Sequence, residues 1–229
     1  MLSRKLCLTV CLAALLASPA ANANFIFSTD TMLFKQETDV WCGPATAQMI
    51  LYQGQVFKEQ TDLWNKIDAS REEPNTSFYT DPGGLRTTLN AFDTVEQDTW
   101  KVFSGTDQDL IIEVLMESMV RADRPSAILI NDGNHWVAWV GFESDIDPLL
   151  GDATLLSVTL NDPDNFNPHV ANLTGAEFSD IFSPNSFGNV YDKQYVAVSV
   201  PEPAMLVLVG LGLCVTLLVT VRRRVVVRN

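Results

Sequence analysis

The sequence predicts an α+β fold in which N-terminal helices pack on a mainly antiparallel sheet. As far as Arg121, apolar residues recur at the spacing typical of amphipathic helices. After Pro125 the chain changes to short β-branched and aromatic runs bounded by Asp, Asn, Gly and Pro. Between its two apolar ends the chain keeps about 176 residues without an internal repeat, which suits one domain with a hydrophobic core.

Four helices are predicted in the first part of this domain. They cover residues 43–52, 58–67, 84–92 and 107–121. Pro44 suits the first turn of the first helix, and Asp107 is the predicted cap of the last. The run Pro82-Gly83-Gly84 is predicted to be a turn before the third helix. The last helix is expected to bury one apolar stripe, formed by Leu110, Ile111, Val114, Leu115 and Met119.

Four strands are predicted in the second part. They cover residues 126–130, 135–142, 155–161 and 194–200. Each run is short, rich in β-branched or aromatic residues, and bounded by turn-forming residues. We therefore expect a small antiparallel sheet, against which the preceding helices pack.

The N-terminus is typical of a secretory signal peptide. Arg4 and Lys5 precede an apolar run at 6–16, and the small residues at 18–23 provide a cleavage pattern that ends at Ala23. The apolar run is about half the length that a bilayer-spanning helix needs. The predicted division is a signal peptide at 1–23 and a folded domain at 24–200.

The C-terminus is predicted to span a membrane once. Residues 204–221 form an uncharged apolar stretch of eighteen residues, which three consecutive arginines follow at 222–224. By the positive-inside rule these arginines stay in the cytoplasm, so the domain lies on the other side of the inner membrane.

Pro201-Glu202-Pro203 stands directly before this stretch, and the arrangement resembles the PEP-CTERM sorting signal of Gram-negative bacteria. The resemblance assigns 201–229 to such a signal. It implies an exosortase-type enzyme as a partner, a periplasmic domain that is anchored at first, and delivery to the envelope or extracellular matrix.

Charge excludes one class of partner. Residues 25–200 hold nine of the fifteen Lys and Arg and twenty-seven of the twenty-eight acidic residues, which leaves a net charge of −18. Such a domain repels nucleic acids and anionic headgroups. Of the four cysteines, only Cys42 lies outside the terminal segments, so the domain cannot form an internal disulfide.

Cys42 has the position of a catalytic nucleophile. Thiols react as thiolates, which form more readily at a helix N-terminus beside an imidazolium. His135 opens a predicted strand after a turn-like segment at 131–134, where a side chain can project into a cleft. Taken alone, a histidine in such a place is more often structural than catalytic. His169 lies in a loop-like context and is predicted to be a surface residue.

A catalytic imidazole needs an acceptor that orients it, and an oxyanion needs donors. Asp162 ends the strand that follows His135 and is the predicted acceptor. Asn161 should point to the opposite side of a regular strand, and Asp164 lies beyond a proline. Gln36, six residues before Cys42, can provide a side-chain amide to the oxyanion.

The order Gln, Cys at a helix start, His opening a strand and Asp ending a strand resembles that of papain-like cysteine peptidases. Within them, the stretches 36–51, 134–137 and 161–163 resemble the family-39 (C39-like) cysteine peptidases. The resemblance implies a papain-like fold with Cys42 as nucleophile, His135 as general base and acid, Asp162 as orienting group and Gln36 as oxyanion donor. Founding members of that family cut leader peptides and are usually fused to export ATPases. Since no ATPase is present in this sequence, the resemblance supports the chemistry better than the substrate.

The predicted function is therefore that of an exported cysteine peptidase that hydrolyses peptide bonds in a peptide or protein substrate. One alternative is a transglutaminase or amidase with the same three residues, and another is a non-catalytic binding module of the envelope or matrix on a peptidase-like fold. No cofactor or metal is predicted. Oxygen ligands cluster at 162–167 and 143–152, but neither cluster has the spacing of a helix-loop-helix calcium site, and one Cys with two His cannot fill a structural zinc site.

Overall fold

The computed structural model describes residues 24–72, 80–94, 99–186, 188 and 190–201. Its strands are β1 Phe25–Ser28, β2 Lys101–Gly105, β3 Ser126–Ile130, β4 His135–Ser144, β5 Leu155–Asp162, β6 His169–Thr174 and β7 Tyr195–Ser199. Its helices are α1 Cys42–Gln53, α2 Gln60–Ala69, α3 Pro82–Phe92, α4 Gln108–Ala122 and α5 Gly175–Ile181, with a short 3₁₀ helix at Pro148–Leu150. The predicted α+β class is confirmed.

All strands belong to one antiparallel sheet. Its order is β2-β7-β3-β4-β5-β6, and β1 pairs with the far part of β4 beyond the end of β3. In this region Phe25 lies opposite Ser144 and Ser28 lies opposite Gly141. Strand β4 is thus hydrogen-bonded to three others, β3, β5 and β1.

The core lies on both faces of this sheet, because alternate strand residues point to opposite sides. On one face, Leu129, Trp136 and Val198 pack with the buried residues of α1, α2 and α3. On the other, Ile128 and Trp139 pack with those of α4 and α5. The predicted packing of N-terminal helices on the sheet is confirmed, and the structure adds that α4 covers the face opposite to α1–α3.

Helix α3 begins earlier than predicted, so the prediction of a turn at 82–84 was wrong. Asp81 caps the helix by accepting a hydrogen bond from the Gly84 N–H at 2.6 Å, and Pro82 takes the first helical position, where its missing N–H costs nothing. A β-carbon at Gly84 would lie 2.7 Å from the carbonyl oxygen of Ile67. The glycine here allows two helices to approach closely and does not form a turn.

In α4, the predicted Asp107 cap is present, since its carboxylate accepts from the Leu110 N–H at 3.2 Å. Leu110 itself is 54% exposed, which contradicts its predicted place in the buried stripe. Ile112 and Met116 are buried instead. The apolar face is therefore turned by about one residue relative to the predicted one.

Strands β1, β2 and β6 and helix α5 were not predicted. Strand β6 is half exposed, and its first residue His169 stands in a strand where a loop was expected. Helix α5 has seven residues and begins with a capping box in which Thr174 and Glu177 each accept from the other's backbone. Such short or exposed elements carry too little apolar periodicity to be recognised in a sequence.

One buried ion pair joins α3 to the start of β3. Arg124 pairs with Asp93, whose carboxylate also accepts from the Trp100 indole N–H at 3.0 Å. Because both charges are almost fully buried, removing either partner should destabilise the fold. Gly54 lies against the Arg124 guanidinium, and a β-carbon there would collide with it.

The predicted signal peptide at 1–23 and membrane span at 204–221 lie outside the described residues. Among the helices that are described, none has the length and apolar character needed to cross a bilayer.

Candidate active site

Cys42 is the first residue of α1 and is 8% exposed. Its thiol is free. No side chain caps this helix, and its first turn closes with the Ala45 N–H donating to the Trp41 carbonyl at 3.0 Å. The backbone N–H groups at the start of a helix have no intrahelical acceptor, and the positive end of the helix dipole favours an anion there. Cys42 therefore lies where a thiolate, or an oxyanion beside it, is stabilised.

Helix α1 is tied directly to the strand that carries His135. One turn after Cys42, the Thr46 hydroxyl donates to the Trp136 carbonyl at 3.2 Å in the buried interface. Gly43 lies against the side chain of Thr80, and a β-carbon at Gly43 would collide with it. The helix start is thus held against β4 at the residue next to His135.

His135 opens β4 after the predicted turn. Asn131 and Asp132 have left-handed φ angles of 55° and 58°, and Gly133 has a φ of 88°. The Asn134 N–H closes the turn on the Ile130 carbonyl at 3.1 Å. Since Asn, Asp and Gly tolerate this backbone region best, the local sequence fixes where the strand and its histidine begin.

The sheet brings His135 and Asp162 together. β4 begins and β5 ends at the same end of the sheet, because the two strands are antiparallel neighbours. His135 Nε2 lies 2.7 Å from Asp162 Oδ1, and both side chains are about one-fifth exposed. Nδ1 is the ring nitrogen that Asp162 does not contact. The Cys42 side chain also acts on the imidazole, since it raises the pKa of His135.

Asp162 and Cys42 change the protonation of the His135 imidazole. Burial alone would lower the pKa of His135, but the hydrogen bonds to Asp162 and Cys42 and the charges of both raise it from 6.5 to about 10. At neutral pH the ring is therefore an imidazolium. Such a group stabilises a neighbouring thiolate, and it can donate a proton to a leaving group.

Asp162 remains ionised for matching reasons. Burial would raise its pKa, but the His135 hydrogen bond and charge, the Asp164 N–H at 2.9 Å and the charge of His169 together lower it. His169 lies opposite Asp162 in the β5–β6 pair and is exposed, as predicted. Sequence reasoning gave it no relation to the site, because nothing in the sequence pairs β6 with β5.

Gln36 is 5% exposed and lies in the segment before α1. Its backbone N–H donates to the Pro163 carbonyl at 2.8 Å, which ties it to the residue after Asp162. Its carboxamide oxygen is buried without a hydrogen-bond partner among the described residues. A second tie joins the same two loops, since the Asn165 amide donates to Asp39 at 2.6 Å.

The two neighbouring candidates for the orienting role do not contact the imidazole. Asn161 points to the opposite face, is buried, and donates to the Thr31 carbonyl at 2.9 Å. The Asp164 carboxylate accepts from the backbone of Phe166 at 2.6 Å. Within the described ranges, no group of three or more His, Cys, Asp or Glu side chains is arranged to hold a metal ion.

A profile of the PEP-CTERM protein-sorting motif matches residues 199–224. The chain therefore carries this motif, as its C-terminal sequence indicated. No curated protein matches the sequence.

Several solved structures are similar to this chain, among them the following three. The first is a double glycine motif protease from an AMS/PCAT transporter in complex with its leader peptide; it is 12% identical, with 77% of this chain and 95% of that chain covered and a TM-score of 0.47. The second is the peptidase domain of Streptococcus ComA, a bi-functional ABC transporter involved in a quorum sensing pathway, at 11% identity, 75% and 98% coverage and a TM-score of 0.42. The third, from Bacillus anthracis, is described as a C39-like peptidase; it is 16% identical, with 76% and 96% coverage and a TM-score of 0.47. At these identities the likeness concerns the arrangement of helices and strands.

Proposed function

We propose that this protein is an exported cysteine peptidase that hydrolyses peptide bonds with Cys42, His135 and Asp162. The observation that carries the proposal is the 2.7 Å contact between His135 Nε2 and the Asp162 carboxylate, together with the effect of the Cys42 side chain, which raises the pKa of the same imidazole. A thiolate beside an imidazolium, which a carboxylate orients in turn, is the arrangement in which a cysteine attacks as a nucleophile.

The proposed reaction is an acyl transfer in two steps. The Cys42 thiolate attacks the carbonyl carbon of a peptide bond, and the electron pair of the C=O bond moves to the oxygen, which becomes an oxyanion. The Cys42 backbone N–H and the Gln36 carboxamide are the proposed donors to that oxyanion. The His135 imidazolium then gives its proton to the leaving amine as the C–N bond breaks, which leaves a thioester and a neutral imidazole.

Hydrolysis of the thioester restores the site. Neutral His135 removes a proton from water, the hydroxide attacks the thioester carbonyl, and the carboxylic acid product leaves as the C–S bond breaks. The thiolate and the imidazolium are regenerated. Throughout, Asp162 holds Nε2, and Nδ1 is the nitrogen that we propose to exchange the proton with the leaving amine and with water.

We propose a cellular location from the C-terminal motif. The PEP-CTERM match at 199–224 supports export across the inner membrane of a Gram-negative bacterium and processing by an exosortase-type enzyme. Before processing, the predicted span at 204–221 would hold the domain 24–200 in the periplasm. Co-expression with an exosortase should shorten the chain at its C-terminus, whereas a variant lacking 201–203 should keep its full length.

The test of the activity compares hydrolysis of fluorescein-labelled casein by the purified wild type, Cys42→Ala and His135→Gln. We expect both variants to lose the hydrolysis. Cys42→Ala removes one sulfur atom from a buried position and should keep the wild-type melting temperature within a few degrees. His135→Gln should also lower the melting temperature, because it removes the cation that pairs with Asp162. His169→Gln is the matched control, since His169 is exposed and does not contact the thiol; it should keep most of the activity. Wild-type hydrolysis by Cys42→Ala would refute the proposal.

The same site could transfer the acyl group to an amine. Mass spectrometry of products formed with an added primary amine separates the two reactions, because a transferase attaches the amine and a peptidase releases a free carboxylate. A binding module without activity would show neither product, and Cys42 would not react faster than a free thiol with an electrophilic peptide.

A further inference from the structure

Gln60, the first residue of α2, makes three hydrogen bonds around the segment that contains Gln36. Its carboxamide nitrogen donates to the Lys35 carbonyl at 2.8 Å and to the Gln48 side-chain oxygen at 2.9 Å. Its carboxamide oxygen accepts from the Glu37 N–H at 2.9 Å. With 2% of its surface exposed, Gln60 has all of its contacts inside the protein.

The chemistry of these partners fixes how the Gln60 amide is oriented. A backbone carbonyl only accepts and a backbone N–H only donates, so the Gln60 nitrogen must face Lys35 and its oxygen must face Glu37. Gln48 is fixed in the same way, because its own nitrogen donates to the Lys58 carbonyl at 2.8 Å. Any other rotation of either amide would break a buried hydrogen bond.

These bonds bracket the residue proposed as oxyanion donor. Gln60 holds the backbone on both sides of Gln36, at Lys35 and at Glu37. The third tie is the bond from the Gln36 N–H to the Pro163 carbonyl, next to Asp162. The backbone of Gln36 is thus fixed from α2 on one side and from the end of β5 on the other.

We propose that Gln60 is a positioning residue that acts through Gln36: it places the Gln36 carboxamide for oxyanion binding. This inference rests on the proposed function and deepens it. A displacement of about 1 Å in a catalytic group can reduce a rate about 100-fold. Gln60 touches no substrate and would act only on the step in which an oxyanion forms.

Two reactions of Cys42 separate oxyanion binding from thiol reactivity. Acylation by p-nitrophenyl acetate passes through an oxyanion and releases nitrophenolate in a burst. Alkylation by iodoacetamide displaces iodide at a saturated carbon and forms no oxyanion. We expect Gln36→Ala to slow the acylation about 100-fold, as the loss of one oxyanion donor does. Gln60→Met should slow it about tenfold or more, and both variants should be alkylated at nearly the wild-type rate.

A double variant tests whether Gln60 acts through Gln36. If it does, Gln36→Ala/Gln60→Met should be acylated as slowly as Gln36→Ala alone, since the donor that Gln60 positions is already gone. Gln60→Glu provides a second variant: it still accepts from the Glu37 N–H but cannot donate to the Lys35 carbonyl, so it too should be slowed.

Gln108→Met is the matched control. The Gln108 amide nitrogen likewise donates two hydrogen bonds, here to the backbone carbonyls of Ser179 at 2.8 Å and Phe182 at 2.7 Å, but it joins α4 to α5 away from the site. It should lose stability much as Gln60→Met does and keep wild-type acylation. The role of Gln60 would be overturned if both Gln60 variants were acylated at the rate of Gln108→Met. It would also be overturned if the double variant were slower than Gln36→Ala by the full factor that Gln60→Met shows alone. A wild type without a burst that depends on Cys42 would overturn the proposed function as well.

Discussion

Replacement of Asp162 by Asn should lower the pKa of His135 by a measurable amount. In the wild type, the hydrogen bonds and charges of Asp162 and Cys42 raise this pKa from 6.5 to about 10 against the opposing effect of burial. Asn keeps the shape of the side chain and removes its charge. Because an opposite charge in contact shifts a pKa by about 1–3 pH units, we expect His135 in Asp162→Asn to titrate between about pH 7 and 9.

NMR titration of the imidazole measures this directly. The chain has only two histidines, so His169→Gln assigns the His135 signal. Asp164→Asn is the matched control, because the Asp164 carboxylate accepts its hydrogen bond from the backbone of its own loop and not from the imidazole. An unchanged His135 titration in Asp162→Asn, or a wild-type His135 that titrates near 6.5, would show that the carboxylate does not hold the ring as an imidazolium.

The raised pKa of His135 also predicts how the destabilisation caused by Asp162→Asn depends on pH. His135 has a raised pKa in the folded state, so its stabilising contribution is fully present below about 6.5 and is lost as the pH rises through about 10. The free energy of unfolding lost in Asp162→Asn should therefore be largest between about pH 5 and 6.5, where Asp162 is ionised, and should shrink towards pH 10. Urea denaturation at several pH values measures it.

Two glycine substitutions, at Gly54 and Gly43, test close contacts of α1, and a third, at Gly105, is a control. Gly54→Ala should destabilise the protein by about 1–3 kcal/mol in urea denaturation, since the new methyl group displaces the buried Arg124 guanidinium; Gly105→Ala, whose β-carbon would meet only an ordinary contact at 3.4 Å, should change the stability by less than about 1 kcal/mol. Gly43→Ala should slow casein hydrolysis while the protein still folds, because the collision with Thr80 moves the start of the helix that begins with the proposed nucleophile Cys42. A melting temperature and an activity equal to those of the wild type would refute this contact.

The sequence contained enough to predict which residues meet at one end of the sheet. Cys42 opens a helix, His135 follows a turn of left-handed residues, and Asp162 ends the next strand, so local signals placed each of them at an element boundary. The antiparallel pairing of β4 and β5 then brought the last two together. Their catalytic roles, and that of Gln36, remain predictions that the experiments above test.

What the sequence did not reveal depends on long-range contacts. Gln60 was not singled out, because a glutamine at a helix start is common and its bonds reach a segment about 25 residues away in the chain. The turn predicted at Pro82-Gly83-Gly84 failed for a related reason: the residues suit a turn, but the Asp81 cap and the close approach of Ile67 make them a helix start. Leu110 followed the helical period yet faces solvent, since the neighbours of α4 decide which side is covered.

The position of His135 on β4 has a consequence for how the site is lost when the protein opens. β4 shares hydrogen bonds with three strands, so its amides should exchange with solvent only when the whole domain unfolds. Fraying of a loop or an edge strand then leaves the imidazole in place. Partial opening would therefore not expose β4 to proteolytic digestion, and the contact between His135 and Asp162 should disappear in a single step with the fold.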